Sequence, residues 1–320
     1  IWNRSIPSPG AERTFDPAMW SYLARRLIQV PLVLIVVSLM TFLITRATPG
    51  DPVQIMLGMQ TSPEAEAPLR AEFNLDRPLP VQYVLWVAKV ATGDLGRSIR
   101  LNKRITEMLA ERLPISLQLA AAGMLFALLV SIPLGVMAAL RRNSWIDYLC
   151  TGYTVLGFAV PNFGLALILI YVFAIKLDWL PITGIGTADS EAGLWSYVSP
   201  FIIPAVALGT LQTAILTRLL RSSMIDVLSQ DYIRTARAKG LLPATVVIVH
   251  AMKNAMIPFV TMATVQLGYM IGIQVTIEYI FAVPGMGSAV LNAVVNRDFP
   301  VIQGFTLVIA VFFLLANIVA

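Results

Sequence analysis

Six long apolar runs separated by polar connections set the frame of this chain: 28–45, 115–140, 150–175, 197–220, 256–281 and 301–320. Each reaches the ~18 residues that a helix needs to cross the ~30 Å hydrocarbon core of a bilayer. The pattern predicts an all-α membrane protein with six transmembrane helices. Pro31, Pro133, Pro161, Pro204 and Pro258 fall inside these runs. Each frees a carbonyl and bends its helix, which a bundle tolerates where neighbouring helices or a water-filled cavity satisfy the group. Small residues at Ala120, Ala121, Ala122, Gly123, Gly268 and Gly272 predict close helix approach.

The polar connections carry the rest of the pattern. The longest, 46–114, has turn chemistry at Pro49-Gly50-Asp51-Pro52 and Thr92-Gly93-Asp94-Leu95-Gly96. Between these turns, 64–73 reads as a short helix and 81–91 as an amphipathic one, with Tyr83 and Trp86 suited to a membrane interface. This connection reads as a lid packed on the ends of the spans. Between the fourth and fifth runs lies Ser229-Gln230-Asp231-Tyr232-Ile233-Arg234-Thr235-Ala236-Arg237-Ala238-Lys239-Gly240. Ser229 is the expected N-cap, and Asp231 faces the positive end of the helix dipole. Arg237 and Lys239 fall in the last turn, Gly240 can close the helix in the left-handed conformation, and Pro243 can open the next one. So short a helix is marginal alone in water, where stability needs ~12–15 residues. It must lean on its own protein, as an ordinary surface helix, or on a partner, as a docking handle.

Composition agrees with the membrane reading: 57% of residues are hydrophobic and 13% charged, against about 25% charged in an average soluble domain. Six buried helices of a soluble core would need more polar surface than the remaining chain supplies. Orientation follows from the short basic flanks. Arg25 and Arg26 precede the first run, Arg141 and Arg142 follow the second, and Arg218, Arg221, Arg234, Arg237, Lys239 and Lys253 surround the fourth connection. These flanks are expected in the cytoplasm, with both termini. The connection 46–114 is long enough to translocate despite its basic residues. The net charge of +5 then reflects topology and contact with anionic membrane lipid, and no nucleic acid partner is expected. Residues 1–18 read as a flexible extension, since Met19-Trp20-Ser21-Tyr22 makes a natural start. The lone Cys150 excludes an intrachain disulfide.

Candidate chemistry is sparse. The chain has no G-x-x-x-x-G-K-[ST] phosphate loop and no H-E-x-x-H, and His250 is its only histidine. No catalytic residue and no metal ligand set is therefore expected. A proton-driven carrier needs intramembrane carboxylates or bases as relays, and only Glu278, near the end of the fifth run, qualifies. It reads either as a gate or as a carboxylate that caps backbone amides around Pro284-Gly285-Met286-Gly287. Asn162, Phe163, Gln212, Gln266 and Glu278 are the candidates for a translocation path or gate. An ion-coupled carrier and a non-transporting scaffold remain as alternatives from other classes.

Several motifs, in order, resemble those of the peptide-type ABC importer permeases. They are Thr48-Pro49-Gly50-Asp51-Pro52, the stretch from Leu75-Asp76-Arg77-Pro78 to Tyr83, Gly93-Asp94-Leu95-Gly96, Pro133-Leu134-Gly135 and Pro161-Asn162-Phe163. The segment from Arg218 to Met224, the segment from Asp231 to Gly240, His250 with Asn254-Ala255-Met256-Ile257-Pro258, Glu278-Tyr279-Ile280-Phe281 with Pro284-Gly285-Met286-Gly287, and Arg297-Asp298-Phe299-Pro300-Val301-Ile302-Gln303 complete the match. The long first loop resembles the B-type subunit of dipeptide and oligopeptide permeases.

The resemblance implies a type I ABC importer permease fold over 19–320, with 46–114 as an extracytoplasmic loop and 229–240 as the coupling helix. Ser229, Asp231, Tyr232, Arg234, Thr235, Ala236, Arg237, Lys239 and Gly240 would contact the ATPase, with Ala236 supplying a small-residue face. Where the general importer motif has an acid and two alanines, this chain has Arg234, Thr235 and Ala236. The implied partners are a second, C-type permease, two cytoplasmic ATPase subunits and an extracytoplasmic substrate-binding protein in a bacterial inner membrane. ATP and Mg would sit in the partners, with no cofactor in this chain. Nickel, glutathione and other small solutes are the alternative substrates within the family. Relatives run on to a basic tail, so the C-terminus reads as truncated.

Overall fold

The computed structural model describes residues 17–47, 75–182 and 193–320, together with Val53, Glu66, Ala67 and Arg70; side chains are described from Gln29 onward, Leu194 excepted. The extension at 1–16, most of the helix expected at 64–73 and the turn at Pro49-Gly50-Asp51-Pro52 lie outside the described residues. Among those described the regular structure is helical, in the order α1 (Pro17–Ala47), α2 (Leu79–Ala91), α3 (Ile105–Leu140), α4 (Trp145–Ala159), α5 (Asn162–Lys176) and α6 (Gly193–Leu228). Then follow α7 (Asp231–Ala238), α8 (Pro243–Ile273), α9 (Val275–Ile280), α10 (Met286–Val295) and α11 (Phe299–Val319). The ends of α5 and the start of α8 widen into π turns at Ile170–Lys176 and Val246–Ala251.

Among the described residues, five helices are long and apolar enough to cross a membrane, and α4 with α5 makes a sixth, bent by 104°. This corrects the third expected span, 150–175, which is not one continuous helix. Val160 is extended (φ −92°, ψ 119°) and Pro161 caps α5 instead of continuing α4, as the steric bias against helix before proline allows. Pro31, Pro133, Pro204 and Pro258 stay inside their helices. Two further boundaries move. Helix α3 begins at Ile105, so the last ten residues of the expected loop 46–114 are helical. Helix α8 begins at Pro243, well before the expected start of the fifth span at 256.

The long helix α6 is the hub, packed against α3, α4, α5 and α8. Lipid tails are as apolar as leucine, so such helices associate through close packing and polar contacts more than through the hydrophobic effect. Small residues supply the close packing. A Cβ on Gly209 of α6 would run into the Gly123 carbonyl of α3, and one on Gly135 would stand 2.9 Å from Leu220 Cβ. Gly157 of α4 meets Ala214 of α6 in the same way, at 2.9 Å. Gly268 abuts Ala316 of α11, whereas Gly272, also expected at a helix contact, has open space around it. Leu119, Leu208, Leu216, Leu220, Phe259 and Met270 fill the core between these helices.

A second apolar cluster, with Ile105, Met108, Met286, Val301 and Phe305, joins the start of α3 to α10 and α11. Helix α2 lies on α1: Ser38 and Tyr83 hydroxyls are 2.9 Å apart, and Phe42 packs against Tyr83 and Trp86. The aromatic pair expected at a membrane interface is thus shared with α1.

Candidate coupling and translocation site

Helix α7 is built from the residues that end it. Ser229 does not cap it, contrary to expectation: its hydroxyl donates back to the Asp226 carbonyl at 2.7 Å, and Gln230 occupies the N-cap position without a side-chain cap. Eight residues are helical, with Asp231 in the first turn and Arg237 in the last. Gly240 closes the turn at φ +76°, where an L side chain costs about 1 kcal/mol or more. Pro243 then stands in the first turn of α8.

Ile233 and Ala236, three apart and therefore on one face, are buried in the main core with Val246 of α8. Ala236 was expected to face the ATPase; it packs against its own chain. Asp231, Tyr232, Arg234, Thr235, Arg237, Lys239 and Gly240 are exposed. The Tyr232 hydroxyl accepts from Asn254 Nδ2 at 2.7 Å, a second tie to α8. The Arg234–Asp231 contact at 3.3 Å is fully surface-exposed and contributes little. The result is a polar face held rigidly between the ends of two membrane-spanning helices.

The translocation candidates fall into three places. Gln266 Nε2 of α8 donates to Gln212 Oε1 of α6 at 2.7 Å, joining the helices on either side of α7 within the bundle. Gln212 is fully buried, and its own Nε2 has no partner among the described residues. Asn162 and Phe163 instead line a cleft of about 290 Å³ at the α4–α5 bend, with Leu211, Ile273, Thr276 and Ile277 on its other walls.

Glu278 is apart from both, fully buried on α9. Oε1 accepts from the Ser116 hydroxyl of α3 at 2.6 Å, and Oε2 from the Ser288 amide at 2.9 Å. The Ser116 oxygen in turn accepts from the Met286 amide at 2.7 Å. Glu278 therefore binds the N-terminus of α10 across a turn, where free amides and the helix dipole favour an anion. The turn's glycines permit this approach. A Cβ on Gly285 would collide with the Glu278 carboxylate, and one on Gly287 would lie 2.6 Å from Val275 Cα.

Two further carboxylates do comparable work and were not singled out from the sequence. Asp298, buried at the N-cap of α11, accepts from the Ser98 hydroxyl and from the amides of Ile99 (3.1 Å) and Arg100 (3.4 Å). It thereby fastens a small hairpin, closed by the Arg97–Arg104 bridge, to the α10–α11 turn. Asp147, in the first turn of α4, receives Arg221 of α6 in a two-pronged ion pair, Nε to Oδ1 at 2.6 Å and Nη2 to Oδ2 at 2.7 Å. Asp147 had no signal beyond an acid beside an apolar run, whereas Asp298 stood in the Arg297-Asp298-Phe299-Pro300 motif with no role assigned to it.

These features define a polytopic helical membrane protein with a short, exposed polar helix set between two of its spans. The chain belongs to the family described as binding-protein-dependent transport system inner membrane component, which matches residues 131–320, and the corresponding N-terminal family matches residues 19–120. It is 39% identical to the dipeptide transport system permease protein DppB of Alkalihalophilus pseudofirmus, over 94% of this chain and 96% of the relative. It is 37% identical to the oligopeptide transport system permease protein AppB of Bacillus subtilis, over 94% and 95%. The glutathione transport system permease protein GsiC of Salmonella typhimurium is 36% identical over the same shares. The chain is thus an ABC-type permease of the B-type peptide branch, as the sequence motifs indicated.

Proposed function

We infer that this chain forms one half of a heterodimeric pore that imports di- or oligopeptides, driven by ATP hydrolysed in separate subunits. The observation that carries the reading is the polar face of α7, held by Ile233, Ala236 and the Tyr232–Asn254 bond between α6 and α8. A rigid surface at that position can receive a push from a cytoplasmic ATPase and pass it to both helices at once. Closure of the ATPases on nucleotide then tilts α6 and α8 and opens the pore to the outside, an alternating-access cycle. The chain itself is non-catalytic: Asp231, Arg234, Thr235, Arg237 and Lys239 serve as contacts. Its partners are a C-type permease, two ATPases and an extracytoplasmic binding protein, which holds most of the substrate selectivity. Both termini are cytoplasmic, and the hairpin that Asp298 fastens faces the binding protein.

The names of the dipeptide and oligopeptide relatives support a peptide substrate. Glutathione is a second reading favoured by the GsiC relative, and it is itself a tripeptide. Uptake of labelled dipeptide, oligopeptide, glutathione and nickel by a deletion strain carrying the complete transporter decides among them. Peptide uptake that stops when the ATPase is inactivated is the expected result. Uptake that follows an imposed ion gradient without ATPase would overturn it.

A further inference from the structure

Asp147 and Arg221 belong to neither the exposed face of α7 nor the cleft at the α4–α5 bend, yet they form a two-pronged pair on apolar helices. The Asp147 side chain is 4% exposed and that of Arg221 30%. Asp147 Oδ2 also accepts the Asn143 amide at 3.0 Å, a bond within its own turn that a solvated carboxylate at a helix start makes without any partner helix. Pairing it instead with Arg221, 74 residues away on α6, desolvates the carboxylate and offsets much of the attraction, a cost that capping alone does not explain.

The reason lies in what the pair connects. Arg221 stands seven residues before Leu228, where α6 ends and the chain turns into α7. Asp147 opens α4, whose other end carries the bend with Asn162 and Phe163. The two helices run antiparallel, and a second close contact, Gly157 against Ala214, seams them near that bend. Arg218, one turn before Arg221, reaches α4 as well, its guanidinium 5.0 Å from the Phe158 ring centre. Ridge packing alone lets helices slide; a two-pronged ion pair fixes register.

We propose that Asp147 and Arg221 are positioning residues that clasp α4 to the α7-bearing end of α6, so that movement of α6 carries the α4–α5 bend with it as one body. The proposal rests on the reading that α7 receives the ATPase stroke. The clasp sets how much transport each stroke yields, and does not touch substrate or ATPase.

The test uses the assembled transporter with its partner permease, ATPases and binding protein, reconstituted in vesicles. Asp147→Asn should leave ATP hydrolysis in place while peptide uptake per ATP falls about tenfold, and Arg221→Lys, which keeps the charge but loses the fork, should fall between. Equal uptake per ATP in Asp147→Asn and the parent would overturn the proposal. A second measurement is independent of substrate: spin labels on L149C and S222C, both exposed sites, in a Cys150→Ala background. The parent should give one narrow distance, the same without nucleotide and with ATP trapped, and Asp147→Asn should broaden it. A parent distance that changes between the two states would also overturn the clasp. A parent complex that transports without ATP would overturn the functional reading instead, and the label distances would still decide the clasp.

Discussion

A carboxylate without solvent persists in an apolar bundle only where its lone pairs are occupied, and Glu278 meets that condition through Ser116 and Ser288. Glu278→Gln replaces one acceptor oxygen with a donor, so either the Ser116 hydroxyl or the Ser288 amide must face an N–H. The expected cost is about 1–3 kcal/mol, read as a lower unfolding temperature of the purified transporter, with ATP-driven uptake still insensitive to a proton gradient. Gradient-dependent uptake in the parent that vanishes in the variant would make Glu278 a proton carrier. Glycine pairs sharpen the same point. Gly285→Ala should destabilise, since its Cβ collides with the carboxylate, while Gly272→Ala should be neutral or stabilising by up to about 1 kcal/mol, having open space and a helical backbone. The Glu278 and Pro284-Gly285-Met286-Gly287 pairing was legible in the sequence because it is local. Ser116, 162 residues earlier, was not, nor was Asp147 with Arg221, because no periodicity links positions so far apart.

At the scale of the element, α7 shows what end signals disclose and what they leave out. Asp231, Gly240 and Pro243 mark where the helix starts and stops, and the structure moves its N-cap by one residue, from Ser229 to Gln230. Its buried face rests on Ile233 and Ala236 alone, a spacing present in the sequence but outweighed there by the run of charges. The consequence is a reversal of expectation for substitutions. Ala236→Arg should disrupt packing within the chain, an overpacking loss of about 1–3 kcal/mol before any charge burial, and lower the amount of folded protein in the membrane. Thr235→Arg, on the exposed face, should leave that amount unchanged and release the ATPase. Membrane abundance and ATPase co-purification separate the two; an abundant Ala236→Arg protein without ATPase would return Ala236 to the docking face. The break in the third span illustrates the opposite limit. Five of the six prolines in the apolar runs, Pro200 excepted, follow a β-branched residue, Val30, Ile132, Val160, Ile203 or Ile257, so local sterics cannot single out Pro161. Only the return of α5 onto α6 and α9 does so.

Across the whole molecule, α3 separates the two polar ends. At 36 residues and 1.5 Å per residue it is about 54 Å long, enough to span a bilayer with its headgroups. The hairpin at Arg97 to Arg104 stands before its first turn and Arg141, Arg142 and Asn143 after its last, so these two loops lie on opposite sides of any membrane that α3 crosses. Helix α6 runs parallel beside it, with Gly209 against Gly123 and Leu220 against Gly135, which puts α7 on the side of Arg141. Charge then assigns the sides. Arg141, Arg142, Arg218, Arg221, Arg234, Arg237, Lys239 and Lys253 gather in short flanks at the α7 end, where the positive-inside bias operates. The loop before α3 also carries arginines, but it is long, and long loops translocate largely regardless of charge. Leu101, 59% exposed at the hairpin, and Thr235, exposed on α7, are therefore the two reporters of topology. In a Cys150→Ala background, L101C should react with an impermeant thiol reagent in intact spheroplasts, and T235C only after permeabilisation. Because one helix fixes the two sites on opposite faces, the labels must invert together if the orientation is wrong. Labelling of both from outside would mean that α3 does not cross the membrane.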